Sequence, residues 1–244
     1  MPRFLMMTGL ALVLAACNDS KTAVPAADAP AGPAVAAPAG QNWVDMVSAT
    51  PEGGFRIGNP DAKVKLLEFA SLTCSHCREF HEAAAAAIKS RYVASGNVSY
   101  EYRNFVLNGA DFAATVLARC QGAGAFFGLL DSFYADQAGW TEPFSRIPKA
   151  DQAALANLPE DLAIRLMAEL GGLADYVKLR GITRAKFDQC LSDPAQIKAV
   201  NNLRNQAVDK YKLTGTPGFI INGAVQEGIF TWAELEPKLQ AALR

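Results

Sequence analysis

The sequence predicts an α/β protein whose chain is interrupted by an all-helical insertion, and three observations support this prediction. An apolar run of strand length at residues 64–70 precedes a helix-like segment at residues 78–94. A second strand-like segment follows at residues 97–105. Residues 110–212 then change character and are rich in Ala, Leu, Asp and Lys. A strand-helix-strand start predicts a right-handed crossover and parallel pairing, with the helical segment inserted after it.

Local signals justify the first three elements in order. The nearly continuous apolar run at residues 64–70 is typical of a strand buried on both faces. Residues 78–94 contain an alanine run and no glycine or proline until Gly96, which predicts a helix that stops at that glycine. Residues 97–105 alternate well enough to predict a second strand.

Capping and turn residues organise the rest of the chain. The pair Asp193-Pro194 is a helix-start signal inside the helical segment. Asn222-Gly223 separates two short apolar segments, and this dipeptide suits the positive φ angles of a tight hairpin turn. Thr231 with Glu234 three residues later predicts a capping box at the start of the last helix.

Composition excludes several classes of protein. The 244 residues contain 23 Lys and Arg against 24 Asp and Glu, a net charge of −1. A chain without a basic excess is not expected to bind nucleic acid. Hydrophobic residues make up 50% of the chain, which excludes a disordered protein. No run reaches the roughly 20 apolar residues of a spanning helix, which excludes an integral membrane enzyme.

The N-terminus predicts export and a lipid anchor. Residues 1–16 carry one positive charge at Arg3, then an apolar stretch that ends in Leu-Ala-Ala before Cys17. A cysteine directly after these small residues resembles the bacterial lipobox, in which the thiol is acylated. We therefore expect residues 1–16 to be a signal peptide, Cys17 to be lipidated and the protein to be periplasmic and anchored to the membrane. The alternative is an ordinary signal peptide with an incidental cysteine.

Domain boundaries follow from these segments. Residues 17–42 are rich in Ala and Pro and predict a semi-extended tether. Residues 43–108 and 213–244 are expected to form the two parts of the α/β domain. Residues 109–212 are expected to form the helical insertion.

Cys74-Ser75-His76-Cys77 lies where the first buried strand passes into a helix. This position places the Cys74 sulfur at unpaired backbone amides and favours its thiolate. His76 can add a positive charge or a hydrogen bond that lowers the Cys74 pKa, which stabilises the reduced pair and makes the disulfide a stronger oxidant. Cys77 lies one turn further and is expected to be the more buried, resolving thiol.

Metal binding is the alternative interpretation of this motif. A Cys-x-x-Cys pair can be half of a zinc site, but Cys120 and Cys190 are isolated in the sequence. His81 follows Cys77 by four residues, so a copper or zinc site of Cys74, Cys77 and His81 is conceivable. A solvated helix histidine is the simpler interpretation, and no metal is expected.

Two stretches carry a family resemblance. The segment from Leu67 to Cys77, together with Thr214 to Phe219, resembles the DsbA-like thioredoxin family of exported thiol-disulfide oxidoreductases. The resemblance covers roughly residues 53–244 and implies a thioredoxin fold interrupted by a helical domain. It also implies an enzyme that exchanges disulfides without a cofactor.

The resemblance implies roles for three further residues. Glu68 matches the buried acid beneath the active site, and Thr216 and Pro217 match the residue before the cis-proline and the cis-proline itself. These last two are expected to bind an extended substrate. Ser75 departs from the proline common between the cysteines, and Thr216 departs from the valine often found before the cis-proline. Since both residues tune redox potential and substrate release, the direction of electron flow stays open.

The expected function is oxidation of thiols in exported, cysteine-containing proteins by the Cys74–Cys77 disulfide. A membrane oxidase of the DsbB type is the expected partner that restores the disulfide. The alternative within the same fold is a reductase or isomerase that a DsbD-type membrane protein keeps reduced.

The remaining cysteines are assigned by elimination. Once Cys17 carries lipid and Cys74 pairs with Cys77, Cys120 and Cys190 are the thiols that remain. They are expected to form a structural disulfide within the helical insertion. The alternative is two separately buried thiols, because sequence does not place their Cα atoms within bridging distance.

Overall fold

The computed structural model describes Met1 and residues 33–244. Residues 2–32, which include the predicted signal peptide after Met1, Cys17 and most of the predicted tether, lie outside the described residues. No helix in the part that is described is both long and apolar enough to cross a membrane.

A mixed sheet organises the described part of the chain. Its strands are β1 (Val47–Ala49), β2 (Phe55–Ile57), β3 (Val64–Ala70), β4 (Val98–Asn104), β5 (Gly218–Ile221) and β6 (Ala224–Val225), in the spatial order β1-β2-β4-β3-β5-β6. Strands β3 and β4 pair in parallel, and the other neighbours are antiparallel. The predicted parallel start is therefore confirmed.

Helices cover the sheet and form the insertion. They are α1 (Ser75–Ala87), α2 (Gly109–Arg119), α3 (Ala123–Ala135), α4 (Gln137–Ser145), α5 (Lys149–Leu155), α6 (Glu160–Leu170), α7 (Leu173–Lys178), α8 (Arg184–Leu191), α9 (Pro194–Asn205) and α10 (Trp232–Leu243). Helix α1 connects β3 to β4, whereas α2 to α9 all lie between β4 and β5. A thioredoxin fold with an inserted helical domain is confirmed.

Local sequence explains several element ends. Asn222 and Gly223 have φ angles of 49° and 86°, so the predicted hairpin turn joins β5 to β6. Thr231 and Glu234 form the predicted reciprocal capping box at the start of α10. Helix α1 is followed by a π-helical segment, Ile88–Val93, and Gly96 lies after both with a φ of 72°, as expected for a glycine that ends a helix.

The N-terminal part of the fold differs from the prediction. The short hairpin β1–β2 was not predicted, because strands of three residues are too short to show a period of two. The end of the predicted tether also contacts the fold: the Trp43 indole N–H donates to the Val35 carbonyl at 2.7 Å, and the Val35 amide donates to Ser95 at 2.8 Å. A buried indole N–H needs an acceptor, and the chain before it supplies one.

The alternation of β3 places its side chains in two cores. Leu66 and Ala70 belong to the large core under α1, whereas Leu67 and Phe69 belong to a smaller core on the opposite face of the sheet. Since side chains alternate along a strand, Glu68 shares the face of Leu66 and Ala70. The carboxyl group therefore lies in the layer between the sheet and α1.

Candidate active site

Cys74 caps the helix that follows the central strand. It is the N-cap residue of α1, and its Sγ accepts a hydrogen bond from the Cys77 backbone N–H at 3.3 Å. The side chain is half-buried. Its hydrogen bond with the Cys77 side chain is the largest cause that lowers the pKa of Cys74 to about 5, and Thr216 and nearby backbone amides add to it against the effect of burial. The sulfur is thus accessible and is a thiolate at neutral pH.

Cys77 has the opposite electrostatic environment. Its side chain is fully buried, and this burial, followed by the proximity of Cys74, raises the pKa of Cys77 well above its ordinary value. Both thiols are reduced in the structure. One accessible thiolate therefore lies beside one buried, protonated thiol.

His76 contributes differently from the prediction. Its side chain is exposed and forms no hydrogen bond within the described residues, whereas its backbone amide helps to lower the Cys74 pKa. The predicted hydrogen bond from the imidazole is therefore absent within the described residues, and the contribution of its positive charge stays a prediction. The physical reason is helix geometry, because the amides of the first turn face the N-cap side chain.

Glu68 is a buried acid in β3, with 2% of its surface exposed. The Tyr100 hydroxyl donates to Glu68 Oε2 at 2.6 Å. Burial is the dominant effect and raises the Glu68 pKa to about 8; the Tyr100 bond opposes this rise and the charge of Cys74 adds to it. At neutral pH the Glu68 carboxyl group is therefore protonated, in the layer between the sheet and α1.

Thr216 and Pro217 lie directly before β5, and the peptide bond between them is cis. Because β5 pairs with β3, these residues reach the cysteines from a distant part of the chain. The Thr216 carbonyl lies 3.5 Å from Cys74 Sγ across a sequence separation of 142 residues. The fold thus brings both predicted substrate-binding residues to the accessible thiol.

The second cysteine pair lies within the helical insertion. Cys120, at the end of α2, and Cys190, in α8, form a disulfide with their Cα atoms 5.7 Å apart. The pair therefore ties two helices of the insertion together. Cys17 lies outside the described residues.

The alternative metal site does not assemble. His81 Nε2 lies 2.9 Å from Asp131 Oδ1, and the His81 ring lies 4.8 Å from the Tyr134 ring. Between residues 33 and 244, no three His, Cys, Asp or Glu side chains are grouped as metal ligands. The histidine is engaged in a contact between α1 and α3.

Sequence reasoning missed four residues around the redox pair. Tyr100 holds the buried acid. Asp111, Tyr134 and Gln137 bond to the segment before Cys74 from the helical insertion. They form no motif with the cysteines in the sequence, and only their burial in the folded chain singles them out.

A family model and a curated relative both match most of this chain. A family model described as thioredoxin matches residues 50–241. A protein of Rickettsia bellii named as a protein-disulfide oxidoreductase is 27% identical over 176 residues, which is 72% of this chain and 60% of that relative. The chain thus spans about 60% of the length of that curated relative.

Solved structures share the fold. The crystal structure of a protein-disulfide isomerase from Novosphingobium aromaticivorans has a TM-score of 0.75 and 31% identity, and the match covers 82% of this chain and all of that one. The crystal structure of α-DsbA1 from Wolbachia pipientis has a TM-score of 0.63 and 22% identity over 80% of this chain and 93% of that one. The second likeness shows a DsbA-like fold.

Proposed function

Because the chain belongs to the thioredoxin family, we propose that it is a thiol-disulfide oxidoreductase that forms disulfides in exported proteins. One observation carries the proposal: the accessible Cys74 has its pKa lowered to about 5, whereas the pKa of the buried Cys77 is raised. A thiolate of this kind is both a good leaving group and a stabilised product of reduction. The pair is therefore suited to accept electrons from substrate thiols.

Exchange proceeds in two steps that conserve atoms and electrons. A substrate thiolate attacks Cys74 Sγ of the oxidised enzyme, the bond from Cys74 to Cys77 breaks, and Cys77 leaves with the electron pair. A second substrate thiolate then attacks the substrate sulfur of the mixed disulfide, and Cys74 leaves as a thiolate. The substrate gains one disulfide and loses two electrons, which the enzyme holds as its reduced pair.

Glu68 supplies the proton that the buried sulfur needs. Cys77 leaves as a thiolate in an apolar layer, where its charge is costly. With a pKa of about 8, Glu68 is protonated at neutral pH and its carboxyl group lies in the same layer. It relays a proton between water and Cys77: it gives its proton to Cys77 during reduction and regains one from water, so that it is protonated again in the reduced site.

The cellular setting is part of the proposal. The lipobox-like end of residues 1–16 supports export and lipidation at Cys17, and thus a periplasmic protein anchored to the membrane. A compartment outside the cytosol permits stable disulfides. Cysteine-containing exported proteins are the proposed substrates, and a membrane oxidase of the DsbB type is the proposed electron acceptor.

A second direction of electron flow has its own support. The structure from Novosphingobium aromaticivorans, 31% identical to this chain, is named a protein-disulfide isomerase. An isomerase or reductase uses the same two thiols but works from the reduced form, and a DsbD-type membrane donor keeps it reduced. The Cys74 pKa of about 5 favours the oxidant, because it stabilises the reduced product.

An equilibrium titration against glutathione tests the proposal. We expect a potential nearer to that of a strong oxidant, about −120 mV, than to thioredoxin at about −270 mV. The oxidised protein should also convert a dithiol peptide to its disulfide, and Cys74→Ala should abolish this reaction. Cys77→Ala should instead trap the peptide on Cys74. A potential near −270 mV would support the reductase, and a peptide trapped on neither cysteine would refute thiol exchange.

A further inference from the structure

The loop that carries Cys74 is held by side chains of the helical insertion. The Tyr134 hydroxyl donates to the Ser71 carbonyl at 3.1 Å. The Gln137 side-chain amide donates to the Leu72 carbonyl at 2.8 Å and to the Cys74 carbonyl at 2.9 Å. Tyr134 lies in α3, and Gln137 is the first residue of α4. The backbone between β3 and α1 is thus bonded to a different part of the fold.

Asp111 of α2 completes this attachment. Its carboxylate accepts from the Ser71 hydroxyl at 2.5 Å and from the Leu72 amide at 3.0 Å. The group is fully buried, and burial raises its pKa to about 6 against the effect of these bonds. A buried carboxyl group is stabilised only where donors are fixed around it. The loop therefore has a defined position relative to the insertion.

Gln137 is the member of this set that bonds to Cys74 itself. Only 8% of its surface is exposed. Both partners of its Nε2 are carbonyl oxygens, so the two N–H bonds of one amide group are both used. The Cys74 carbonyl also accepts the first hydrogen bond of α1, from Arg78 N at 3.1 Å. The amide thus fixes the residue at which helix and loop meet.

We propose that Gln137 is a positioning residue for thiol exchange, which it supports from the helical insertion by fixing the Cys74 backbone. This inference rests on the proposed oxidoreductase function. The thiolate is stabilised by a contact of 3.3 Å between Cys77 N and Cys74 Sγ. When the amide is lost, the buried Leu72 carbonyl loses its side-chain donor, the Cys74 carbonyl keeps the Arg78 amide alone, and the loop shifts to find another donor. The contact at the sulfur then weakens, and the reduced pair is less favoured.

Gln137→Met tests the inference, because methionine keeps the length and approximate volume of the side chain but has no donor. Gln121→Met is the matched control: Gln121 is exposed on the insertion and its amide donates to a single carbonyl, that of Gly181. The readouts are the midpoint of Cys74 thiolate absorbance against pH and the equilibrium with glutathione. For Gln137→Met we expect the midpoint to rise by at least ~0.5 pH unit and the equilibrium constant for oxidising glutathione to fall at least ~3-fold.

The control should match the wild-type protein in both readouts. If Gln137→Met lowers the melting temperature but leaves midpoint and equilibrium constant unchanged, Gln137 has a structural role only and the inference is wrong. Tyr134→Phe serves as a second variant should Gln137→Met not fold, because it removes one hydroxyl and keeps the ring. It should also raise the midpoint, and no change would count against the inference.

The two readouts separate this inference from the proposed function. Thiolate absorbance reports the Cys74 protonation state whether or not the protein exchanges disulfides. If the wild-type protein does not equilibrate with glutathione, the proposed function fails, whereas a midpoint that moves in Gln137→Met still supports positioning.

Discussion

At the residue scale, the chemistry follows from how burial and hydrogen bonds divide protons among three groups. Cys74 has amide and thiol donors at its sulfur, whereas Cys77 and Glu68 lie in the apolar layer below it. Donors favour the charged form of a group and burial favours the neutral form. Near pH 7 the reduced site therefore carries its negative charge on Cys74, the accessible atom that reacts.

Glu68→Gln is expected to change how the stability of the reduced protein depends on pH. Burial raises the Glu68 pKa from 4.5 to about 8, so between these values the folded state binds a proton that the unfolded state releases. The group therefore makes stability fall as pH rises from 4.5 through 8. The free energy of unfolding is measured in urea at pH 4 and at pH 9. Between these pH values, the difference between variant and wild type should shift in favour of the variant by on the order of 3 kcal/mol.

Glu79→Gln is the matched control, because that side chain is 60% exposed. It should follow the wild-type pH profile. An equal fall in the stability of Glu68→Gln and wild type between pH 4 and pH 9 would show that Glu68 is not the group that titrates.

His76→Ala is expected to leave the Cys74 midpoint within ~0.5 pH unit of wild type. The reason is that alanine retains the backbone amide, which is the part of His76 that helps to lower the Cys74 pKa. Thr216→Val should raise the midpoint more, since the Thr216 side chain also lowers that pKa. Thiolate absorbance measures both variants, and a larger shift in His76→Ala than in Thr216→Val would contradict the assignment.

At the element scale, the ends of strands and helices place the reactive groups. Strand β3 ends at Ala70, and α1 begins at Ser75, so the first turn of α1 presents its amides to the sulfur of Cys74. Strand β5 pairs with β3 and carries Thr216 to the same point. Within the insertion, the disulfide between Cys120 and Cys190 ties α2 to α8.

Replacement of both Cys120 and Cys190 by alanine is expected to destabilise the protein without changing its redox pair. The bridge spans 70 residues, and closing a loop of this length removes denatured-state entropy worth about 4 kcal/mol in the chain-entropy model. Urea unfolding should show a loss up to this size, while the Cys74 midpoint stays at the wild-type value. A shifted midpoint would show that this disulfide influences the site.

At the scale of the whole molecule, the insertion and the α/β domain are joined by buried polar contacts. Arg119 of α2 donates to the Gly53 carbonyl at 2.7 Å and to Asn104 Oδ1 at 3.2 Å, and its burial lowers its pKa to about 10. Together with the bonds from Gln137 and Asp111 to the loop between β3 and α1, these contacts attach the insertion to the β1–β2 connection, to the end of β4 and to the segment that carries Cys74. The insertion is therefore part of the site's framework.

Cys17→Ser is expected to release the protein from the membrane or to stall its processing. The expectation follows from the position of Cys17 directly after small residues at the end of an apolar segment. Mass spectrometry of the mature wild-type N-terminus should find acyl chains on Cys17. An unmodified Cys17, or cleavage at another residue, would remove the anchor from the proposal.

Features that depend on neighbouring residues could be predicted from the sequence. The buried strand at residues 64–70, the helix start at Cys74, the Asn222-Gly223 turn and the cap at Thr231 each follow from apolar patterning or backbone sterics over a few positions. The Cys-x-x-Cys motif likewise lies within one helical turn. The sequence by itself therefore determined the fold class and the position of the two thiols.

Only the tertiary structure decided which groups act on these thiols. Thr216 contacts Cys74 at a sequence separation of 142 residues, and Gln137 contacts it from the helical insertion. The structure also placed the His76 backbone amide at the sulfur, while the exposed imidazole forms no hydrogen bond within the described residues. Hydrogen bonds and burial depend on distances that packing sets between remote parts of the chain. The periodicity of a sequence shows only which face of its own helix or strand a residue occupies. It therefore does not predict distances between residues on different elements.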